Sequence, residues 1–316
     1  MARHRRSGSA EKLWVSVTDS ARWRRFAKRG LGARLLRNEA FRRLDQARRS
    51  TLTRWADRRG PDLFRDVQTF LMFIGQTKSG GTMIGAMLDA HPNAVVADEV
   101  DAVRFVEAGF SRNQVFHLML KGARREAMKG RVTARRLDAY SFSVPEQWQG
   151  RFANLVVIGE SKAGPSTRRL AADPDLLGRV SQEMGDVDLK FIQIVRNPFE
   201  PISAMMLRSG RTFDNAIDDY FSQCVRLEDL RSRIAPSDLL VVRYEDVVCG
   251  PQDQLVRICR YLGLATEPGY LAACAAMLDD TPREHRFDVD WNPGRIAEVE
   301  SRMAAFAFLS GYGYNS

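Results

Sequence analysis

From residue 69 onward, short apolar runs alternate with stretches whose apolar residues recur every three or four positions. The runs fall at 70–74, 93–97, 155–158, 189–195 and 239–242, each of strand length. Unbroken apolar runs, rather than strict alternation, indicate strands buried on both faces. The periodic stretches predict helices near 81–90, 100–121, 174–184, 198–208 and 212–233. A further helix follows Pro251, with Leu255, Ile258, Cys259 and Leu262 as its apolar stripe and Gly263 as its stop. Another is expected over 296–308. Strand–helix alternation implies an α/β fold, a parallel sheet covered by helices on both faces. The 122–150 region is basic, then polar, without a clear period, which marks it as a mobile insertion or lid.

The first 65 residues differ in kind. Trp23, Phe26, Leu31, Leu35, Phe41, Leu44, Leu52 and Trp55 recur at loosely helical spacing with arginines between them. They predict two or three basic amphipathic helices. Nineteen Lys or Arg stand against six Asp or Glu there, so the whole-chain charge of +9 comes from this segment. Such a segment fits docking on an anionic surface, whether membrane, nucleic acid or acidic carrier. It equally fits a solvated extension of the main domain. Gly60-Pro61 marks the boundary, giving a basic helical extension over 1–65 and a main domain over 66–316.

At 316 residues, 44% hydrophobic and 28% charged, the chain has a globular composition, which excludes a wholly disordered or fibrous protein. No apolar run approaches the roughly 20 residues that span a bilayer. The basic N-terminus has no apolar segment behind it, so it is not expected to be a secretory signal. Cys224, Cys249, Cys259 and Cys274 show no metal or CxxC spacing and are expected as reduced thiols. The expected location is the cytoplasm, with peripheral contact at a membrane as a second placement.

The segment after the first strand carries the most chemistry. The apolar run leads into Gly75-Gln76-Thr77-Lys78-Ser79-Gly80-Gly81-Thr82, and a helix opens beyond it. Such a loop lets backbone N–H groups converge on an anion at a helix N-terminus. Gly75, Gly80 and Thr82 fit the nucleotide-triphosphate pattern GxxxxGK[ST], but Gly81 stands in the lysine position. The loop's lysine is Lys78, at the apex, and only seven of the 48 basic residues are lysine. A lysine there suits a donor in which one 5′-phosphate bears the transferred group. A plain glycine turn is the structural alternative.

Lys78-Ser79-Gly80-Gly81-Thr82 resembles the 5′-phosphosulfate loop of sulfotransferases that use 3′-phosphoadenosine 5′-phosphosulfate (PAPS), roughly [KR]-S-G-T-T, with Gly81 in place of the first threonine. The continuation Ala86-Met87-Leu88-Asp89-Ala90-His91-Pro92 resembles the tyrosylprotein branch and related bacterial members. Arg196-Asn197-Pro198, with Ser203 seven residues after the arginine, is similar to the family's 3′-phosphate motif, whose serine usually stands eighth; here Ala204 holds that place. Arg208 is a second phosphate candidate. Val242-Arg243-Tyr244-Glu245-Asp246 and Tyr261-Leu262-Gly263-Leu264 resemble the segment whose tyrosine lies beside the adenosine. Trp291-Asn292-Pro293 and Phe308-Leu309-Ser310-Gly311-Tyr312 resemble the C-terminal signature of bacterial members. The likeness spans roughly residues 69–314.

The resemblance implies a P-loop-kinase-like parallel sheet and PAPS as donor, held by Thr77, Lys78, Ser79, Gly80, Gly81, Thr82, Met83, Arg196, Ser203, Arg208 and Tyr244. It implies Glu99 as the base and Lys78 at the leaving oxygen. Asp98 is adjacent to Glu99, and a capping carboxylate is the alternative for Glu99. Lys162 is a candidate contact for the sulfonyl group or acceptor, or else a salt bridge. One of Arg283, His285 and Arg286 is a candidate for closing over the 3′-phosphate. Residues also leave open an ion pair for Arg196 and simple packing for Tyr244. A histidine base is disfavoured, because His91 precedes a proline in a turn and His117 sits in a helical pattern. The chemistry expected needs no metal. The acceptor is a hydroxyl of a carbohydrate, lipid, secondary metabolite or tyrosine. Two rivals remain: a P-loop kinase using ATP and magnesium, supported by Val95-Val96-Ala97-Asp98, and a non-catalytic anion- or nucleic-acid-binding protein, supported by the basic extension.

Overall fold

The computed structural model describes residues 39–59, 62–98, 100–132, 141–278 and 284–316. The chain divides into two units, Met1–Arg58 and Arg59–Ser316. The described residues of the first, 39–58, belong to helix α1 (Glu39–Arg59), on which Arg49 bonds Asp45 one turn earlier at 2.7 Å. Residues 1–38, with most of the expected amphipathic helices, lie outside the described residues, as does Gly60-Pro61.

The second unit is a five-stranded parallel sheet of β1 (Thr69–Ile74), β2 (Ala94–Ala97), β3 (Val157–Glu160), β4 (Asp188–Val195) and β5 (Leu239–Arg243), in the order β2-β3-β1-β4-β5. Every residue of β1 is buried, as a central strand covered on both faces requires. Phe70, Met72 and Ile74 point into one cluster with α3 (Ala102–Glu107), α4 (Arg112–Met128), α5 (Ala163–Ala172) and α6 (Leu176–Met184). Leu71 and Phe73 point into the other with α2 (Gly81–Asp89), α10 (Pro251–Tyr261) and α11 (Pro268–Ala275). This opposite-face alternation is the strand period of two. A third cluster joins α7 (Phe199–Ser209), α8 (Phe213–Arg231) and α12 (Pro293–Met303) around Trp291. The short helix α9 (Tyr244–Cys249) leaves β5 directly.

Connections from β1 run toward β2, and those from β4 run toward β5, so the strand order reverses between β1 and β4. A crevice forms at the carboxyl ends of strands where order reverses. The loop after β1 and Arg196 after β4 therefore meet there.

Several boundaries differ from expectation. The third strand runs two residues later than 155–158, because Glu160 is buried and pairs in register with Met72 and Ala97. The helix expected over 100–121 is two helices. Gly109 at φ 75° breaks it, and Ser111 starts α4 with a capping box to Gln114. The helix expected over 296–308 ends at Met303, and a separate turn covers Ala307–Leu309. Part of the 122–150 region is tied down rather than loose. Gln149 Nε2 donates to Ala86 O and Phe142 O, each at 2.9 Å, and Gly150 N donates to Asp89 at 2.8 Å. Residues 133–140 lie outside the described residues. All four cysteines are free thiols, Cys249 alone being exposed.

Candidate functional site

A cleft of about 930 Å³ opens at the carboxyl edge of the sheet. All five strand ends line it: residues 76–82 after β1, Asp98 after β2, Ser161 and Lys162 after β3, Arg196 after β4 and Tyr244 after β5. Arg208 and His285 complete one wall; Arg125, Glu126 and Lys129 belong to another.

The loop is built around its backbone. Gly75 leaves β1 at φ 130°, and its N–H donates to Thr167 Oγ1 at 2.9 Å. The Thr77 N–H donates to Gln223 Oε1 at 2.9 Å. Lys78 occupies the left-handed region at φ 71°, a conformation uncommon for residues with a Cβ. At Gly80, φ is 102°, and a Cβ would lie 2.3 Å from Cδ2 of Tyr244. Glycine there lets the tyrosine ring rest on the loop. No side chain caps α2 at this end, and its first residues, Gly81 and Thr82, line the cleft wall. At Gly81 a Cβ would come 3.0 Å from the Ser161 carbonyl oxygen. That close approach favours glycine at this position.

Arg196 is buried at 9% exposure. Its guanidinium lies 4.3 Å from the Tyr244 ring centroid, and its Nη2 is 3.3 Å from Glu200 Oε2. Gly80, Tyr244 and Arg196 thus form one stack across the crevice. Arg208 Nη2 meets His285 Nε2 at 3.0 Å. The C-terminal segment buttresses this corner. Asn197 Nδ2 donates to Gly313 O at 2.9 Å, and Glu245 accepts from Asn197 N at 2.9 Å and Tyr312 OH at 2.7 Å.

Of the expected donor residues, Thr77, Lys78, Ser79, Gly80, Gly81, Thr82, Met83, Arg196, Arg208 and Tyr244 border this one cleft, as does Lys162. Ser203 does not. It is fully buried, and its Oγ accepts from Trp291 Nε1 at 3.0 Å. One helical step turns the side-chain direction by about 100°, so Ala204, in the eighth place after Arg196, faces the cleft instead. The amides of Thr77 and Met83 are also engaged internally, the latter with Gly80 O at 3.1 Å. Glu99 and Arg283 lie outside the described residues. Arg286 is buried beside Glu200. His91 is buried; Nδ1 accepts from Asn93 N at 3.0 Å and Nε2 meets Ala265 O at 2.6 Å, and burial lowers its pKa. That is a structural histidine.

Three residues with roles here carry no signal in local spacing: Ser161, Gln223 and Thr167. Ser161 Oγ donates to Asp98 Oδ1 at 3.0 Å and orients that carboxylate at the cleft. Among the described residues no group of three or more His, Cys, Asp or Glu could hold a metal, and no helix is long and apolar enough to cross a membrane.

Glu160 lies directly beneath. It is fully buried and accepts from Ala102 N at 2.8 Å and Ser166 Oγ at 2.7 Å. Burial pushes its pKa from 4.5 up to about 7, against the pull of those donors. Between these values the folded chain holds a proton that the unfolded chain has released. Stability therefore falls as pH rises through that window. In Glu160→Gln the fall between about pH 5 and about pH 7.5 is expected to shrink by about 2 kcal/mol, read by denaturant unfolding. An equally steep fall in the variant would rule this out.

Similar solved structures include a sulfotransferase domain from the curacin biosynthetic pathway, at 16% identity and TM-score 0.46, covering 75% of this chain and 98% of that one. The sulfotransferase STF9 of Mycobacterium avium shares 12% identity at TM-score 0.47, covering 96% of this chain and 97% of its own. Mouse sulfotransferase SULT7A1, solved in complex with PAP, shares 11% identity at TM-score 0.41, covering 78% and 85% respectively. A search of curated proteins found no match. The model of the sulfotransferase family matches residues 71–268, from within β1 to the start of α11 and so across all five strand ends at the cleft. With well over half its length inside that match, this chain belongs to the sulfotransferase family, enzymes that transfer a sulfuryl group.

Proposed function

We propose that the protein transfers the sulfuryl group of PAPS to a hydroxyl of a small-molecule or carbohydrate acceptor. One observation carries this: the Lys78 loop, the Tyr244–Arg196 stack and the Arg208–His285 pair share one cleft. These residues fit the donor. The uncapped N-terminus of α2 and Lys78 suit its 5′-phosphosulfate, the Tyr244 ring suits adenosine, and Arg196 with Arg208 suits a 3′-phosphate. When bound, PAPS supplies an activated sulfuryl group on a phosphate leaving group. Lys78 stabilises charge developing on the leaving oxygen, and Glu99 accepts the acceptor's proton. Lys162, at the end of β3, contacts the sulfonyl group or the acceptor. Residues 1–65, as a separate basic extension, dock on an anionic surface.

ATP is a poor fit for the same loop. The lysine that reaches the β- and γ-phosphates of a nucleotide triphosphate is replaced by Gly81, where even a Cβ meets the Ser161 carbonyl oxygen at 3.0 Å. Calorimetric titration with PAP, the desulfated donor, tests the assignment. Wild-type protein is expected to bind PAP at micromolar concentration or tighter and ATP weakly. Arg196→Ala is expected to weaken PAP by about 100-fold, the scale of a charge-assisted phosphate contact. Preference for ATP with magnesium would overturn the donor assignment.

A further inference from the structure

We propose that Glu200 is the positioning residue of the 3′-phosphate subsite, its single carboxylate fixing Arg196 and the His285–Arg286 corner in register with each other. This rests on the PAPS assignment above and names a residue that sequence motifs do not single out.

Glu200 sits in the first turn of α7, four residues after Arg196, and is 2% exposed. Its Oε2 accepts from Arg196 Nη2 at 3.3 Å and from the His285 backbone N–H at 2.8 Å. Its Oε1 accepts from the Arg286 backbone N–H at 3.4 Å and from Arg286 Nη1 at 3.3 Å. The carboxylate thus joins the end of β4 to a segment 85 residues further along the chain. His285, held by its backbone, meets Arg208 Nη2 through its ring at 3.0 Å. Both cationic walls at this end of the cleft, Arg196 and the Arg208–His285 pair, are therefore set by one group.

An acid in a helix's first turn ordinarily serves the helix dipole in solvent. Glu200 is instead buried between two guanidiniums, Arg196 and Arg286, with Glu284 reaching Arg286 at 2.8 Å from a half-exposed position. Of the charged groups at this corner, Arg196 and Arg208 border the cleft itself, which suits a phosphate monoester. Arg196 is held against the Tyr244 ring on one side and at Glu200 on another, so its fork is fixed before a ligand arrives. A guanidinium fixed in advance loses less freedom on binding.

The test compares PAP with AMP, which shares the base and 5′-phosphate but lacks the 3′-phosphate. In Glu200→Gln the preference for PAP over AMP is expected to narrow by about tenfold, with AMP affinity within about twofold of wild type. Glu200→Asp keeps the charge one methylene short. It is expected to narrow the preference by about threefold, and it carries the test should the glutamine variant not fold. A purely structural role would lower the melting temperature and weaken both nucleotides together. An unchanged preference in a folded variant, or parallel loss of PAP and AMP, overturns the inference while leaving the donor assignment standing. Wild-type protein without preference for PAP overturns both.

Discussion

Lys78→Ala is expected to lower turnover by ~10²–10³ and to weaken PAP binding by about tenfold. The larger effect on turnover follows from where the ammonium acts. In the proposed mechanism it meets a 5′-phosphate in the ground state but more negative charge when the bond to sulfur breaks, and only the difference accelerates transfer. Alanine is the informative replacement. Lys78 holds φ at 71°, a left-handed conformation, and alanine carries the same backbone cost. The substitution therefore removes the cation without relaxing the loop, as glycine would. Gly80, Gly81 and Tyr244, which shape the cleft here through close contacts, stay unchanged. The measurement is turnover at saturating donor, paired with PAP titration. Wild-type turnover in the variant would show that the lysine is not at the leaving oxygen.

The loop was legible in the sequence because its chemistry is local. An apolar strand, glycines and a helix start follow one another, and the backbone itself forms the site. Arg196 was legible for the same reason, as the polar residue that directly follows an apolar strand. What escaped depends on partners far along the chain. Glu160 lies beyond the apolar run at 155–158, yet it is a strand residue satisfied by Ala102 and Ser166. Ser203 reads as a phosphate ligand, but Trp291, 88 residues away, claims its hydroxyl. Helix α5 has no counterpart among the expected helices, and Gly164-Pro165 stands in its first turn. Proline is tolerated in a first helical turn, where N–H groups need no helical partner, and a Cβ on Gly164 would lie 2.5 Å from Thr77 Cγ2. Glu200 carries no motif at all; its meaning lies in the segment it grips.

Glu99→Gln is expected to lower turnover by ~10²–10⁴ while leaving PAP affinity unchanged, because a general base acts on the acceptor's proton and not on the donor. The neighbouring carboxylate makes the choice sharp. Asp98 follows β2 at the cleft, and its Oδ1 already accepts a hydrogen bond from Ser161 at 3.0 Å. A carboxylate engaged in this way is better suited to orient the end of β3, where Lys162 stands, than to receive a proton at each turnover. Asp98→Asn therefore serves as the comparison: asparagine's side-chain oxygen can still accept from Ser161, so that variant is expected to retain most activity. The pH profile adds a second readout. A glutamate base gives turnover that rises with pH through its own titration, and Glu99→Gln loses that rise along with the rate. Should Asp98→Asn instead lose both rate and pH dependence while Glu99→Gln keeps them, the proton passes to Asp98, and Ser161 becomes the group that positions the base.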